Sequence, residues 1–159
     1  MRKILFVGAE ALPFAATGGL GDVLGSLPAA IQKCGGTDVD VRVILPLYRA
    51  VGENFRAQME TIYEGTVFLG WRQLYVGIRM LKYNGVVYYF VDNEQYFKRP
   101  ELYGYYDDGE RFAFFCRAVT ELLPLVGEKS AVQAAPGKAH IGVALKVQPV
   151  APRVRDALV

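Results

Sequence analysis

Two continuous apolar runs near the start of the chain enclose a segment with helical spacing. The runs predict buried strands over Lys3–Gly8 and Val39–Leu45, because neither alternates between apolar and polar residues. Between them, apolar side chains at helical intervals predict a helix over Leu20–Lys33, with a kink or restart at Pro28. The apolar stripe consists of Leu20, Val23, Leu24, Leu27 and Ile31. Strand, helix and strand in this order predict a right-handed βαβ unit with a parallel sheet.

The middle of the chain changes to strand patterns. Apolar and polar residues alternate over Arg72–Tyr83, which follows a strand predicted over Glu64–Gly70 and precedes a continuous apolar run at Val86–Val91. Asn84-Gly85 between the last two runs is typical of a type I′ hairpin turn. We therefore expect an antiparallel ribbon, with one face in water, beside the parallel strands.

A second helix is predicted to start at Asp107, with Glu110 three residues later completing a capping box. Its apolar stripe is typical of core packing and comprises Phe112, Phe115, Cys116, Val119, Leu122 and Leu123. Beyond Gly127 the periodicity weakens, although apolar runs at Ile141–Leu145 and Lys146–Val150 allow two short strands in a poorly ordered tail. The elements together predict an α/β fold with a mostly parallel sheet, helices on both faces and an antiparallel hairpin.

Composition excludes several classes of protein. The chain of 159 residues is 52% hydrophobic and has a net charge of +2, which suits one globular core and provides no basic surface for nucleic acid. No apolar run approaches the ~18 residues of a transmembrane helix, and the start is too short for a signal peptide, so we expect a cytoplasmic protein without a membrane partner. Cys34 and Cys116 are expected to be free thiols. Because no side chains have metal-ligand spacing, we expect neither a metal nor a cofactor.

A glycine-rich loop lies between the first strand and the first helix. Gly18 and Gly19 are expected to permit positive φ and to leave backbone N–H groups open to a ligand. The positive end of the helix dipole points to the same place, which favours an anion such as phosphate. Glu10 follows the strand directly, and its position suits either contact with a ligand hydroxyl or a cap on the loop.

The spacing distinguishes this loop from other nucleotide-binding motifs. Gly19, Gly21 and Gly25 read G-x-G-x-x-x-G, which is one residue longer than the dinucleotide fingerprint, and no Gly-Lys-Ser/Thr follows as in a P-loop. The chain also contains no recognisable Ser/His/Asp or Cys/His arrangement for nucleophilic catalysis. From its residues alone, the loop indicates an anion-binding α/β domain and no particular reaction.

These motifs resemble the amino-terminal domain of bacterial glycogen synthases and plant starch synthases. The similarity covers residues 1–127 and depends mainly on Glu-x-x-Pro-Phe at Glu10–Phe14 and Thr-Gly-Gly-Leu-Gly-Asp-Val at Thr17–Val23. Further matching stretches are Lys3–Val7, Leu27-Pro28, Asp40–Pro46, Tyr103-Gly104 and Glu110–Phe115. The resemblance implies a Rossmann-like domain, the amino-terminal half of a GT-B type glycosyltransferase.

The resemblance further implies transfer of glucose from ADP-glucose to the non-reducing end of an α-1,4-glucan, with retention of configuration. The amino-terminal domain would carry the acceptor side, and the glycine loop would close over the donor diphosphate. By position, the backbone of Gly18 and Gly19 would bind the phosphates. The other implied substrate-binding positions are Thr17 in the same loop, Glu10 and Asp22 near the sugar, and Tyr96, Arg99 and Tyr103 for the glucan.

Two departures from the family pattern bear on activity. The family has Lys before Thr-Gly-Gly, whereas this chain has Ala16, so the cation expected to pair with the donor diphosphate is missing. Residues after Gly127 lack the family's His-Asp-Trp-His-Thr type motif, and the carboxyl-terminal nucleotide-binding domain is missing. The sequence therefore predicts a synthase domain over residues 1–127, a divergent, out-of-frame or disordered tail over residues 128–159, and no activity in this chain alone.

Two other functions stay open from the sequence. A glucan-binding module without catalysis would use the aromatic loop Tyr96–Tyr106, whereas a fragment of a dinucleotide-binding oxidoreductase would use the glycine loop. The ligand distinguishes them, since only the oxidoreductase needs NAD.

Overall fold

The computed structural model of the chain describes residues 1–128 and 140–143. The strands in these ranges are β1 (Arg2–Val7), β2 (Val39–Pro46), β3 (Glu60–Leu69), β4 (Arg72–Tyr83), β5 (Val86–Asp92) and β6 (His140–Val143). The helices are α1 (Gly19–Gly35), α2 (Glu53–Arg56), α3 (Glu94–Phe97) and α4 (Asp108–Glu128), with a 3₁₀ turn at Gly36–Asp38. The described strands form one sheet in the order β3-β4-β5-β2-β1-β6.

The sheet combines four parallel strands with an antiparallel edge. Strands β5, β2, β1 and β6 pair in parallel, whereas β4 pairs antiparallel with both β3 and β5. The crossovers through α1 and α4 move in opposite directions along the sheet, so right-handed connections put the two helices on opposite faces. The predicted α/β class with an added hairpin is confirmed. The carboxyl ends of β1, β2 and β5 meet at one edge, where ligands bind in open α/β sheets.

The loop after β1 is anchored in the core by Phe14. Its ring packs edge-on against the rings of Phe55, Tyr83, Tyr88 and Phe90, with centroid distances from 4.8 to 5.5 Å. Aromatic pairs in this geometry contribute beyond the apolar area that they bury. The Glu-x-x-Pro-Phe motif therefore fixes the glycine-rich loop to the sheet.

Helix α1 approaches that loop closely at two glycines. A Cβ on Gly21 would lie 2.2 Å from the Cβ of Ala16, and one on Gly25 would lie 2.8 Å from the Cβ of Leu12. Any larger residue would push the helix away from the loop. These two glycines, which belong to the near-dinucleotide spacing, thus serve helix packing here.

The predicted apolar stripe of α1 is only partly buried. Leu24 and Pro28 face the core, whereas Val23 and Leu27 are exposed. The buried line follows Gly21, Leu24 and Pro28, so Val23 and Leu27 lie to one side of it. The helix also continues through Pro28 to Gly35, and the expected restart is wrong.

The carboxyl-terminal residues give a mixed outcome. Helix α4 continues through Pro124 to Glu128, and β6 pairs with β1 in a register that puts Ile4 opposite His140. This strand overlaps the predicted run Ile141–Leu145, while the run Lys146–Val150 lies outside the described residues. Most of the predicted divergent tail over residues 128–159 lies outside them as well, so the boundary at residue 127 stays a prediction. No helix in the described ranges is long and apolar enough to cross a membrane.

The turn at Asn84-Gly85 confirms the predicted hairpin. Both residues have positive φ, 47° for Asn84 and 78° for Gly85, as a type I′ turn requires. The strands close directly on the turn, since Tyr83 pairs with Val86. The local signal of two residues therefore determines the β4–β5 register.

Replacing Gly85 by alanine is expected to lower the free energy of unfolding by about 1–2 kcal/mol, because a Cβ is strained at positive φ. The matched control is Gly109→Ala in the first turn of α4, where φ is not positive and an added Cβ would meet nothing within 4 Å. That change should stabilise the fold by about 0.5 kcal/mol. Urea unfolding followed by circular dichroism measures both, and equal effects of the two substitutions would contradict the assigned turn.

Candidate functional site

The candidate site is centred on the carboxylate of Glu10, which is fully buried at the carboxyl end of β1. Its Oε2 accepts hydrogen bonds from the backbone N–H of Thr17 at 2.6 Å and of Gly18 at 3.3 Å. Its Oε1 accepts from the Thr17 hydroxyl at 3.0 Å and from the Tyr103 hydroxyl at 2.7 Å. Glu10 thus caps the glycine-rich loop, one of the two roles expected for it, and joins this loop to residues far along the chain.

The two loop glycines differ from expectation in their backbone. Gly18 is extended, with φ −176° and ψ −164°, and neither Gly18 nor Gly19 has positive φ. The expectation of positive φ at this pair is wrong, because the loop enters α1 through extended backbone. The Gly18 N–H is already engaged by Glu10. Gly19 is exposed, and a Cβ there would meet nothing within 4 Å.

The first turn of α1 faces solvent beside this loop. Asp22 is exposed, and its backbone carbonyl accepts a hydrogen bond from the Ser26 hydroxyl at 2.8 Å. Thr17 is exposed as well, apart from the bonds it makes to Glu10. Ala16 is half-buried with its methyl group against Gly21. The surface next to Gly19 therefore combines the first N–H groups of α1 with one carboxylate and no cation at position 16.

Tyr96 lies in the core and not on the surface of the aromatic loop. Its side chain is fully buried, its backbone N–H donates to the Asn93 side chain at 3.1 Å, and its hydroxyl donates to Glu110. Burial, and then the bond to the Glu110 carboxylate, raise the pKa of Tyr96 to about 12. In this arrangement the ring has no exposed surface for direct contact with a glucan. Tyr106 in the same loop is fully exposed.

Arg99 holds the end of the aromatic loop against the start of α4. Its guanidinium forms a two-point ion pair with Asp107 at 2.6 and 2.7 Å and lies 4.9 Å from the centre of the Tyr105 ring. The bond to Arg99 lowers the pKa of the Asp107 carboxyl below its ordinary value. The Glu110 carboxylate in turn pairs with Arg72 at 2.7 Å. The two predicted capping-box carboxylates are therefore engaged with arginines from neighbouring segments.

Arg111 organises the floor of the site, and local sequence patterns gave no sign of this role. It is fully buried, donates to the carbonyl of Tyr96 at 2.7 Å and to that of Leu102 at 3.3 Å, and pairs with Asp108. These bonds fix the backbone that carries Tyr103. The sequence indicates only that Arg111 could be buried, because it lies four residues before Phe115 and eleven before Leu122 on the apolar stripe. A buried arginine needs partners, and these are visible only in the fold.

The hydroxyls near Glu10 are held in their neutral form. Burial, and then the hydrogen bond to the Glu10 carboxylate, raise the pKa of Tyr103 far above its ordinary value. Burial also raises the pKa of Tyr48, which lies in the loop after β2. Both groups therefore stay protonated at neutral pH. In the described ranges, no group of acidic, histidine and cysteine side chains is arranged to hold a metal ion.

Comparisons with known proteins give a consistent picture. Residues 3–134 match the family model "Starch synthase catalytic domain". The glycogen synthase of Geobacillus thermodenitrificans is 52% identical over 122 residues, which are 77% of this chain and 24% of that protein. The glycogen synthase of Caldicellulosiruptor bescii is 56% identical over 119 residues, 75% of this chain and 24% of that protein.

A solved structure agrees with the sequence relatives. The catalytic domain of starch synthase IV from Arabidopsis thaliana, bound to ADP and acarbose, matches with a TM-score of 0.68 and 28% identity. The match covers 87% of this chain and 27% of that chain. The chain thus spans about a quarter of the length of the curated relatives it matches. On the family model and the shared fold, the chain belongs to the starch synthase catalytic domain family, which includes the bacterial glycogen synthases.

Proposed function

We propose that this chain is the acceptor-side part of a retaining glucosyltransferase that moves glucose from ADP-glucose to the non-reducing end of an α-1,4-glucan. The observation that carries the proposal is the loop that Glu10 holds at the carboxyl end of β1, within a chain of the starch synthase family. ADP and acarbose in the related starch synthase IV supply the two ligand classes, a nucleoside diphosphate and an oligosaccharide mimic.

The geometry supports separate roles for the residues of the glycine-rich loop. Glu10 uses the N–H groups of Thr17 and Gly18, and the Gly21 N–H donates to the Gly18 carbonyl at 2.9 Å. A diphosphate would therefore bind to the N–H groups of Gly19 and Leu20 at the start of α1. An absent side chain at Gly19 lets a phosphate approach the backbone. Asp22 would accept hydrogen bonds from sugar hydroxyls. Glu10 would act as a positioning residue, since its carboxylate is saturated by contacts within the protein.

We propose structural roles for the predicted residues of the aromatic loop. Tyr103 would hold Glu10 in place, and Arg99 would hold the loop against Asp107. Tyr96 would support the site from within the core. Glucan contact in this region would then fall to exposed groups such as Tyr106.

The direct test supplies the part of the relatives that this chain does not span. A fusion of residues 1–127 to the carboxyl-terminal part of the Geobacillus thermodenitrificans glycogen synthase should transfer labelled glucose from ADP-glucose to glycogen. We expect slower transfer than by the parent enzyme, because Ala16 provides no cation. The control is the same carboxyl-terminal part alone, which should be inactive. A folded fusion with no transfer and no calorimetric binding of ADP-glucose would refute the proposal, and glycogen retention by such a protein would favour a glucan-binding module without catalysis.

A further inference from the structure

An aromatic surface lies on the β3–β4 hairpin at the edge of the sheet, separated by β5 and β2 from the strand that leads into the glycine-rich loop. Helix α4 packs on one face of the hairpin, where Val67 and Val76 are buried. On the opposite face of the hairpin, Phe68 is 56% exposed and Tyr75 43%. Trp71 at the turn is 89% exposed, with its ring centre 5.9 Å from the Arg72 guanidinium. We call these three rings the hairpin aromatics. Exposed rings clustered on one hairpin mark an interaction surface.

The ring of Tyr75 lies along the strand over Gly77. A Cβ on Gly77 would be 2.7 Å from the Tyr75 hydroxyl oxygen and 3.3 Å from the carbon that carries it. The hydroxyl also donates to Glu64 Oε1 on β3 at 3.1 Å. The missing side chain at Gly77 thus lets the ring lie down on the sheet, with its outer face towards solvent.

Polar side chains surround the hairpin aromatics and are held in place. Gln73, opposite Phe68 in the register, donates to the Thr66 hydroxyl at 3.0 Å. Arg79 lies two residues beyond Gly77 and pairs with Asp92 at 3.2 Å and with Glu64 at 3.7 Å. The surface therefore offers flat apolar rings beside fixed hydrogen-bonding groups of both signs.

This surface continues into a cavity at the carboxyl ends of β2 and β5. The cavity has a volume of about 500 Å³ and shares Arg79 and Asp92 with the polar row. Its other walls include Arg49, Met59 and Lys98. The bonds from Tyr75 to Glu64, from Glu64 to Arg79 and from Arg79 to Asp92 connect the rings to the cavity mouth. An elongated ligand would therefore contact both.

We propose that the hairpin aromatics bind a segment of α-glucan chain, at a site separate from the donor loop. Sugar rings have apolar faces that stack on aromatic rings and hydroxyl edges that pair with amide, carboxylate and guanidinium groups. An apolar protein helix would take the partly exposed charges of Glu64 and Arg79 out of water and offer nothing to replace it. A nucleic acid would be repelled by Glu64 and Asp92. The choice of α-glucan among sugars rests on the proposed function.

The chain provides its own probe for this site, because Trp71 is its single tryptophan. Titration of the full chain with maltoheptaose should shift the tryptophan emission to shorter wavelength and saturate, as a sugar ring covers the indole. Tyr75→Ala should weaken the fitted affinity about fivefold, the contribution of one stacked ring. Tyr75→Phe retains the ring and should bind nearly as well. The matched control is Leu27→Ala, which removes an exposed apolar side chain on α1 and should change nothing.

Three results would overturn the proposal: no change in tryptophan emission at saturating maltoheptaose, equal affinity of Tyr75→Ala and the unchanged chain, or weakening by Leu27→Ala alone. Urea unfolding midpoints of the variants, compared with the unchanged chain, separate lost binding from lost folding. The tryptophan measurement needs neither ADP-glucose nor glucose transfer. A fusion protein that transfers no glucose would therefore contradict the proposed function but not this glucan site. A matching response to cellohexaose would mean general sugar binding and contradict the selectivity for α-glucan.

Discussion

Replacing Glu10 by alanine is expected to lower the free energy of unfolding by about 3 kcal/mol and to release the glycine-rich loop. The buried carboxylate accepts from the N–H groups of Thr17 and Gly18 and from the hydroxyl of Tyr103. Without it, these donors lose their partner, and donors left unpaired in partly buried positions cost about 1–3 kcal/mol each. Because Thr17 is exposed to water, which can replace the lost partner, the free-energy cost of Glu10→Ala is smaller than the sum over the separate donors.

Two milder substitutions serve as controls for this prediction. Glu10→Gln keeps the shape of the side chain, and the hydroxyls of Thr17 and Tyr103 can turn to accept from the amide that replaces Oε1. We expect it to cost about 1 kcal/mol, since only the charge is lost. Tyr103→Phe removes one hydrogen bond and should also cost about 1 kcal/mol.

Urea unfolding gives the three free energies, and hydrogen exchange at the amides of Thr17 and Gly18 reports on the loop itself. Exchange there should accelerate strongly in Glu10→Ala and only slightly in Tyr103→Phe. An unfolding midpoint of Glu10→Ala within error of the unchanged chain would show that the carboxylate does not hold the loop. The proposed position of the donor site would then lose its support.

The fold was largely predictable because its elements are encoded locally. The continuous apolar runs of β1, β2 and β5 predict buried parallel strands, and Asn84-Gly85 determines the hairpin. The errors occur where tertiary packing, and not local spacing, determines which side chains are buried. Val23 and Leu27 have helical spacing yet lie outside the buried line of α1, which depends on how closely Gly21 and Gly25 approach the loop.

The candidate site was less predictable, because its contacts join distant parts of the chain. Glu10 and Tyr103 are 93 positions apart, and no local pattern indicates that they touch. Tyr96 was expected on an aromatic surface, yet it is held in the core. Its backbone N–H donates to Asn93, its carbonyl accepts from Arg111, and its hydroxyl donates to Glu110. No sequence pattern marks Trp71, because a single aromatic residue at a turn has no periodicity. Its exposure emerges only in three dimensions.

Introducing a cation at position 16 is expected to raise glucose transfer by the fusion protein about 10- to 100-fold. A charge-assisted hydrogen bond to a desolvated phosphate contributes about 1.5–3 kcal/mol, and each 1.4 kcal/mol is about a factor of ten. Ala16 is half-buried and next to the exposed Thr17, and the long flexible side chain of lysine can bring its charge to water from such a position. The Cβ that touches Gly21 is already present, so Ala16→Lys adds no atom at that contact.

Ala16→Met is the matched control for this prediction, because it has similar length and flexibility without the charge. Initial rates at subsaturating ADP-glucose should rise for Ala16→Lys and stay near those of the parent fusion for Ala16→Met. The gain should shrink with added salt, since a partly exposed ion pair is screened. Equal rates for the two variants would mean that the missing cation is not what limits donor use, and the acceptor side would have to explain any low activity.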